Sequence, residues 1–193
     1  MDGIVHHIVV DIEATCWKDW ENAAEMETIE IGAVKLNADF ELIDEFTVFV
    51  RPVIHPQLSD FCLRFTSIQQ ADVEAADKFP AAFKQFLEWI GPQPYIWYSW
   101  TSYDRKRLLG DFENHHQSSN QPIPRFFELH HDLKKLFAQK ENLEVPVGMR
   151  RALKRLEVDY EGRQHRGIDD ARNTAAILKY VFKEKELDPK QAN

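Results

Sequence analysis

The chain has 193 residues, of which 44% are hydrophobic and 12% aromatic; this is enough for one ordinary domain with a sizeable core and excludes a disordered chain. With no run of about 18 apolar residues, no basic leader and no cleavage site, it predicts no membrane association, and its two cysteines, Cys16 and Cys62, read as reduced thiols of a cytoplasmic protein. A formal net charge of −8 argues against a long duplex as partner, because neutralising many phosphates calls for a basic face.

The first predicted strand runs over 5–12, where the β-branched run IVVDI has the character of a buried central strand. EIGAVKL (30–36) gives a second strand, and FTVFV (46–50) a third that closes at Pro52. These three are near enough in sequence to form an antiparallel meander. Beyond Pro52 the pattern turns helical, with short helices predicted over 55–61 and 66–71. A longer helix is expected over 79–90, where Phe79, Phe83, Phe86, Leu87 and Ile90 fall at helical spacing. YIWY (95–98) reads as a fourth strand, 103–112 as a helix, 113–124 as a polar loop and FFEL (126–129) as a fifth strand. Helices over 131–138 and 147–156, and a long amphipathic helix over about 170–185, complete the chain. Three strands followed by alternating helices and strands predict an α/β domain with a mixed sheet. The whole chain reads as one domain, with a core over about 4–185 and a short polar tail.

Three features carry chemistry. Asp11-Ile12-Glu13 ends the first strand, and side chains two apart on a strand share a face. Two carboxylates there are costly unless a cation compensates them, although a solvated strand end is the plainer reading. Asp104 follows YIWY near the start of a helix, where most acids merely complement the helix dipole. His165-Arg-Gly-Ile-Asp-Asp170 precedes the last helix, where one of Asp169 and Asp170 is expected to serve as a cap. His165 sits in a loop with Gly162 and Gly167 and lies five residues before Asp170.

The order D-x-E, then D, then H-x-x-x-x-D is far more specific than any of its parts. It resembles the DEDD family of 3′→5′ exonucleases, in the histidine-containing (DEDDh, DnaQ-like) subgroup. The likeness covers nearly the whole chain and is greatest to the Eri-type branch, which includes the histone-mRNA 3′ exonuclease and bacterial relatives. It rests on VDIEATCW (10–17), EIGAV (30–34), RPVIHPQLSDFC (51–62) and YEGRQHRGIDDARNTA (160–175). The resemblance implies an RNase H-like fold with a five-stranded mixed sheet flanked by helices. It implies that Asp11, Glu13, Asp104 and Asp170 hold two divalent ions, Mg²⁺ or Mn²⁺, and that His165 is the general base. Asp170 is preferred to Asp169 because the family spacing is H-x4-D. Ala14 and Thr15 would lie near the terminal ribose, and Phe61 would stack on the terminal base. The implied partner is the 3′ end of RNA or single-stranded DNA, cleaved to nucleoside 5′-monophosphates.

The chain departs from its relatives in two places. Ser99-Trp100 is followed by Thr-Ser-Tyr before the acid, which leaves Trp100 and Tyr103 as rival aromatic contacts for the terminal nucleotide. LRFTSI (63–68) also lacks the glycine that relatives often carry before the isoleucine. Two other functions remain open: a non-catalytic nucleic-acid or protein-binding module on the same fold, and a hydrolase of small phosphodiesters such as dinucleotides. Trp17 and Trp20 are placed near the substrate mouth and Trp89 and Trp97 in the core. The pairs His6-His7, His115-His116 and His130-His131 are read as surface residues. Between Arg150 and Arg172, seven Lys/Arg stand against five acids, reversing the sign of the chain as a whole.

Overall fold

The computed structural model describes residues 6–19, 23–116 and 122–183. Five strands form one sheet: β1 (His6–Ala14), β2 (Thr28–Leu36), β3 (Leu42–Phe49), β4 (Tyr95–Ser99) and β5 (His130–Asp132), in the order β3-β2-β1-β4-β5. β1, β2 and β3 pair antiparallel as the expected meander, whereas β4 runs parallel to β1 and β5 parallel to β4. The sheet is therefore mixed, as predicted.

The period of two on β1 sorts its side chains between two cores. Ile8, Val10 and Ile12 point to a layer that includes helices α3 (Phe79–Ile90) and α4 (Tyr103–His116), with Phe83, Phe86, Leu108 and Phe112. Val9 points to the opposite layer, which includes α5 (Leu133–Lys140), α6 (Met149–Arg155) and α7 (Gly167–Phe182). Asp11 and Glu13 share the parity of Val9, so they face the α7 side. A satellite cluster of Ile29, Leu58, Cys62, Ile68 and Val73 lies under α1 (Asp60–Thr66) and α2 (Gln70–Ala75).

Several predicted elements move. The helix expected over 55–61 begins only at Asp60, where Ser59 caps it by accepting from the Cys62 N–H. The residues before it stay irregular because the distant Glu27 carboxylate takes the N–H groups of Val53, Ile54 and His55. The next helix is shifted to 70–75 by a capping box between Gln69 and Asp72. FFEL is not a strand: Arg125–Glu128 form a 3-10 turn that drives both Phe126 and Phe127 into the core. The fifth strand is the polar HHD that follows, of which His131 and Asp132 fall within the helix expected over 131–138. α4 runs four residues further than predicted, and 117–121 of the expected loop lie outside the described residues. The last helix starts three residues earlier, at Gly167, and ends at Phe182; Val5, Trp20 and residues 184–185 also fall outside the description.

Candidate active site

The carboxyl ends of β1 and β4 open into a cleft of about 350 Å³. β4 pairs with β1 only as far as Val9, so the end of β1 has no strand on that side. The free N–H of Ile12 is instead taken by Asp104 Oδ1 at 3.2 Å, which draws the first turn of α4 to the cleft. Across the other edge, the register places Gly32 opposite Asp11 and Glu30 opposite Glu13. A Cβ on Gly32 would lie 2.1 Å from the Gly167 carbonyl carbon, so the missing side chain is what lets the start of α7 settle against β1 and β2.

That approach brings the third motif down to the first. Ligand atoms of Glu13, His165 and Asp170 all lie within 4.8 Å of one another. Asp11 and Asp104 line the same cleft. Asp170 Oδ1 accepts from the Tyr160 hydroxyl at 2.8 Å, and Oδ2 from the His165 N–H at 2.9 Å. His165 adopts a left-handed backbone (φ 60°), and its ring stacks on Phe65 at 3.8 Å. Neighbouring Asp169 turns elsewhere, to the Arg172 guanidinium and the Arg163 N–H.

Burial and mutual repulsion dominate the electrostatics. Desolvation, followed by the charges of Asp104, Asp170, Glu13 and Glu30, holds the Asp11 carboxyl well above the ordinary range. Glu13 is raised for the same reasons, burial first and Asp170 next. Burial pushes Asp104 up to about 7, against the pull of the Ile12 N–H. It also raises Asp170 despite the Tyr160 hydroxyl and His165 N–H, and lowers the His165 imidazole. Among the described residues, no lysine or arginine is ion-paired to any of the four acids. Oxygen donors gathered in this way, with no protein cation to balance them, fit a hard divalent ion.

The other sequence candidates are distributed unevenly. Ala14, Trp100 and Tyr103 line the cleft. Thr15 is buried, with its hydroxyl accepting from the Glu27 N–H at 3.0 Å. Phe61 stacks on Phe65, which is the ring that lines the cleft. Trp17 packs edge-on against His55. Trp97 is fully buried, and Trp89 is half-buried beside Phe86 and Phe46. Reading the paired histidines as surface residues needs correction. His7 is half-buried, stacked on Phe40 with Nδ1 3.2 Å from the Tyr98 hydroxyl. His130 lies against Trp97 with Nε2 2.8 Å from Ser99 Oγ.

Three positioning residues went unassigned in the sequence. Glu30 is fully buried, takes Arg166 through both carboxylate oxygens and accepts the Gly167 N–H. Tyr160 orients Asp170, and Asn173 ties the loop at Glu161 to α7. Each stands inside a stretch that carries the family resemblance. Only the cross-strand register shows what Glu30 holds. Cleft size is a poor guide here: larger grooves of about 550 and 630 Å³ lie beside α7 and α6.

Comparison with known proteins agrees with this geometry. The family model described as Exonuclease matches residues 8–178. The chain is 32% identical to human ERI1 exoribonuclease 2 over 195 residues, covering 88% of this chain and 27% of that protein. It is 33% identical to rat 3′-5′ exoribonuclease 1 over 181 residues, again 88% of this chain and 50% of the relative. It thus spans between about a quarter and a half of these curated relatives. The solved nuclease domain of 3′hExo, a DEDDh family member bound to rAMP, superposes with a TM-score of 0.82 at 31% identity, covering 92% of each chain. Exonuclease I shares the fold at 13% identity and a TM-score of 0.70. Nucleases of the DEDDh type use divalent metal ions, and the donors gathered in the cleft suit that chemistry. The chain belongs to the exonuclease family, and within it to the DEDDh type that these relatives represent.

Proposed function

We propose that this chain is a metal-dependent 3′→5′ exonuclease that removes nucleoside 5′-monophosphates from RNA or single-stranded DNA. The observation that carries this reading is the convergence of Glu13, His165 and Asp170 on one point of a cleft that Asp11 and Asp104 also line. Residues 1–193 are read as a single exonuclease domain, supported by the one sheet that all described strands join. The free cysteines suit a reducing cytoplasm, and no helix among the described residues is long and apolar enough to cross a membrane. A non-catalytic module would be expected to have lost one of the five residues, and all five are present.

Two divalent ions, Mg²⁺ or Mn²⁺, held by Asp11, Glu13, Asp104 and Asp170 would supply positive charge at the attacking and leaving oxygens of the phosphodiester. The chain's own groups do the rest. His165, whose imidazole burial shifts toward the neutral form against the pull of Asp170, accepts the proton of the attacking water. Tyr160 and the His165 N–H hold Asp170 in one orientation. Phe65 fixes the imidazole plane, and Ala14, Trp100 and Tyr103 shape the wall where the terminal nucleotide lies. Phe61 supports Phe65 from behind, so its contact with the terminal base is shared with that ring. Thr15 braces the same wall through Glu27.

The test is a time course on matched 3′- and 5′-labelled single-stranded RNA and DNA, with Mg²⁺, Mn²⁺ or EDTA. A 5′-labelled ladder that shortens one nucleotide at a time, stops in EDTA and is lost in Asp11→Ala and His165→Ala is expected. Metal-dependent release of nucleotides from neither polymer would sink the reading.

A further inference from the structure

The basic run between Arg150 and Arg172 is not uniform once folded. Arg155 pairs with Glu141, Arg166 with Glu30, and Arg172 with Glu45 and Asp169. The cations left without an ion pair among the described residues are Arg150, Arg151, Lys154 and Arg163, and all four are exposed. Three of them lie on α6 and line a groove of about 630 Å³, where they outnumber its two acids, Glu157 and Asp159. In a chain of net charge −8, such a local excess of unspent cations stands out.

This groove shares structure with the cleft. Met149, the first residue of α6, lines the cleft, and Arg150 donates to Gln164, which also lines it. Tyr160 lines the groove while its hydroxyl holds Asp170 in the cleft. We infer that the exposed face of α6 carries the sugar-phosphate backbone of the single strand upstream of the 3′-terminal nucleotide, with Arg150, Arg151 and Lys154 on successive phosphates. The inference rests on the exonuclease reading for the position of the 3′ end, and supplies the path of the strand beyond it. Cations at a helix surface neutralise phosphates without reading bases, so the grip is independent of sequence and salt-dependent. It also reconciles an acidic protein with a polyanionic substrate: the acids stay at the chemistry and the bases on the path.

The test is a binding titration of a 5′-fluorescent 12-nucleotide single-stranded RNA in EDTA, over 50 to 200 mM KCl, followed by anisotropy. Wild type is compared with Arg150→Gln/Arg151→Gln/Lys154→Gln, and with Lys78→Gln/Lys84→Gln on the opposite face of the sheet as control. Glutamine keeps the helix propensity of these exposed positions, so the fold is not at stake. Three lost phosphate contacts should flatten the slope of log affinity against log salt by about 2, so that wild-type affinity falls about twentyfold more than the variant's over this range. The control should match wild type. An unchanged slope in the α6 variant, equal loss in the control, or no binding by wild type would each overturn the inference. Nucleotide release in Mg²⁺ is read separately: a protein that binds through α6 yet releases no nucleotide defeats the exonuclease reading and leaves the path standing.

Discussion

Two sets of acids are withdrawn from water in this molecule, and they differ in what their oxygens meet. Glu27, Glu30 and Asp111 are buried and fully occupied by the fold. Glu27 accepts three backbone N–H groups, Glu30 holds Arg166 and the Gly167 N–H, and Asp111 holds Thr28 and Arg107. Asp11, Glu13, Asp104 and Asp170 face a shared cleft, have no lysine or arginine ion-paired to them among the described residues, and are raised first by burial and then by neighbouring carboxylates. Burial therefore does not mark a functional acid. What marks it is charge left unbalanced where a ligand can reach.

Neutralising one acid from each set should separate the two most sharply. Asp11→Asn is expected to lower nucleotide release by about a hundred- to a thousandfold, the scale of a lost charge-stabilising contact. In EDTA the same change should raise the thermal midpoint, because it relieves repulsion. Glu30→Ala should do the reverse, costing about 3–5 kcal/mol in urea unfolding by stranding Arg166. An Asp11→Asn protein less stable than wild type in EDTA would break the distinction. Next in size is the effect of metal. Mn²⁺ at about a hundred times its dissociation constant should stabilise wild type by about 2.7 kcal/mol, read as a rise of several degrees by calorimetry. The rise should persist in Lys84→Gln and vanish in Asp11→Asn.

Acidity gives a smaller contrast with opposite signs. Asp104 has a folded value of about 7, above its unfolded one, so in EDTA its stabilising protonation is lost as pH rises from about 4 to 7. His130 is lowered by burial to about 4, so it favours the fold above its unfolded value and costs stability as pH falls from about 6.5 to 4. Urea midpoints across that window should therefore shift in opposite senses in Asp104→Asn and His130→Gln; shifts of the same sense would refute the assignment. Smallest is Phe65→Ala, which frees the His165 ring and removes a wall of the cleft, and should lower kcat/KM roughly tenfold. An equal fall on replacing Phe61 alone would move the ring support to that residue.

Much of this was legible in the linear pattern. The meander of three strands follows from β-branched runs and short connections, and α3 lies where its apolar spacing put it. The Asp11/Glu13 pair was readable as one face because strand parity is a local property. FFEL failed because a short apolar run suits a strand and a core-facing 3-10 turn equally, and only the partners around Trp97 decide between them. The helix expected over 55–61 failed because Glu27, far back in the chain, claims the N–H groups that a helix would have used. Cys16 and Cys62, read as distant thiols, pack in one cluster, since α1 folds back over the end of β1.

The sequence by itself determined which residues could do the chemistry, since residue type and spacing along a strand or a helix start are set by covalent geometry. Tertiary structure decided which of them meet. Glu30 lies opposite Glu13 only through the β1–β2 register, and Gly167 reaches Asp11 only across the gap at Gly32. The split of seven clustered cations into three that are ion-paired and four that are not, among the described residues, likewise depends on acids up to 136 residues away. Such contacts follow from how sheet and helices close on one another, which no local pattern encodes.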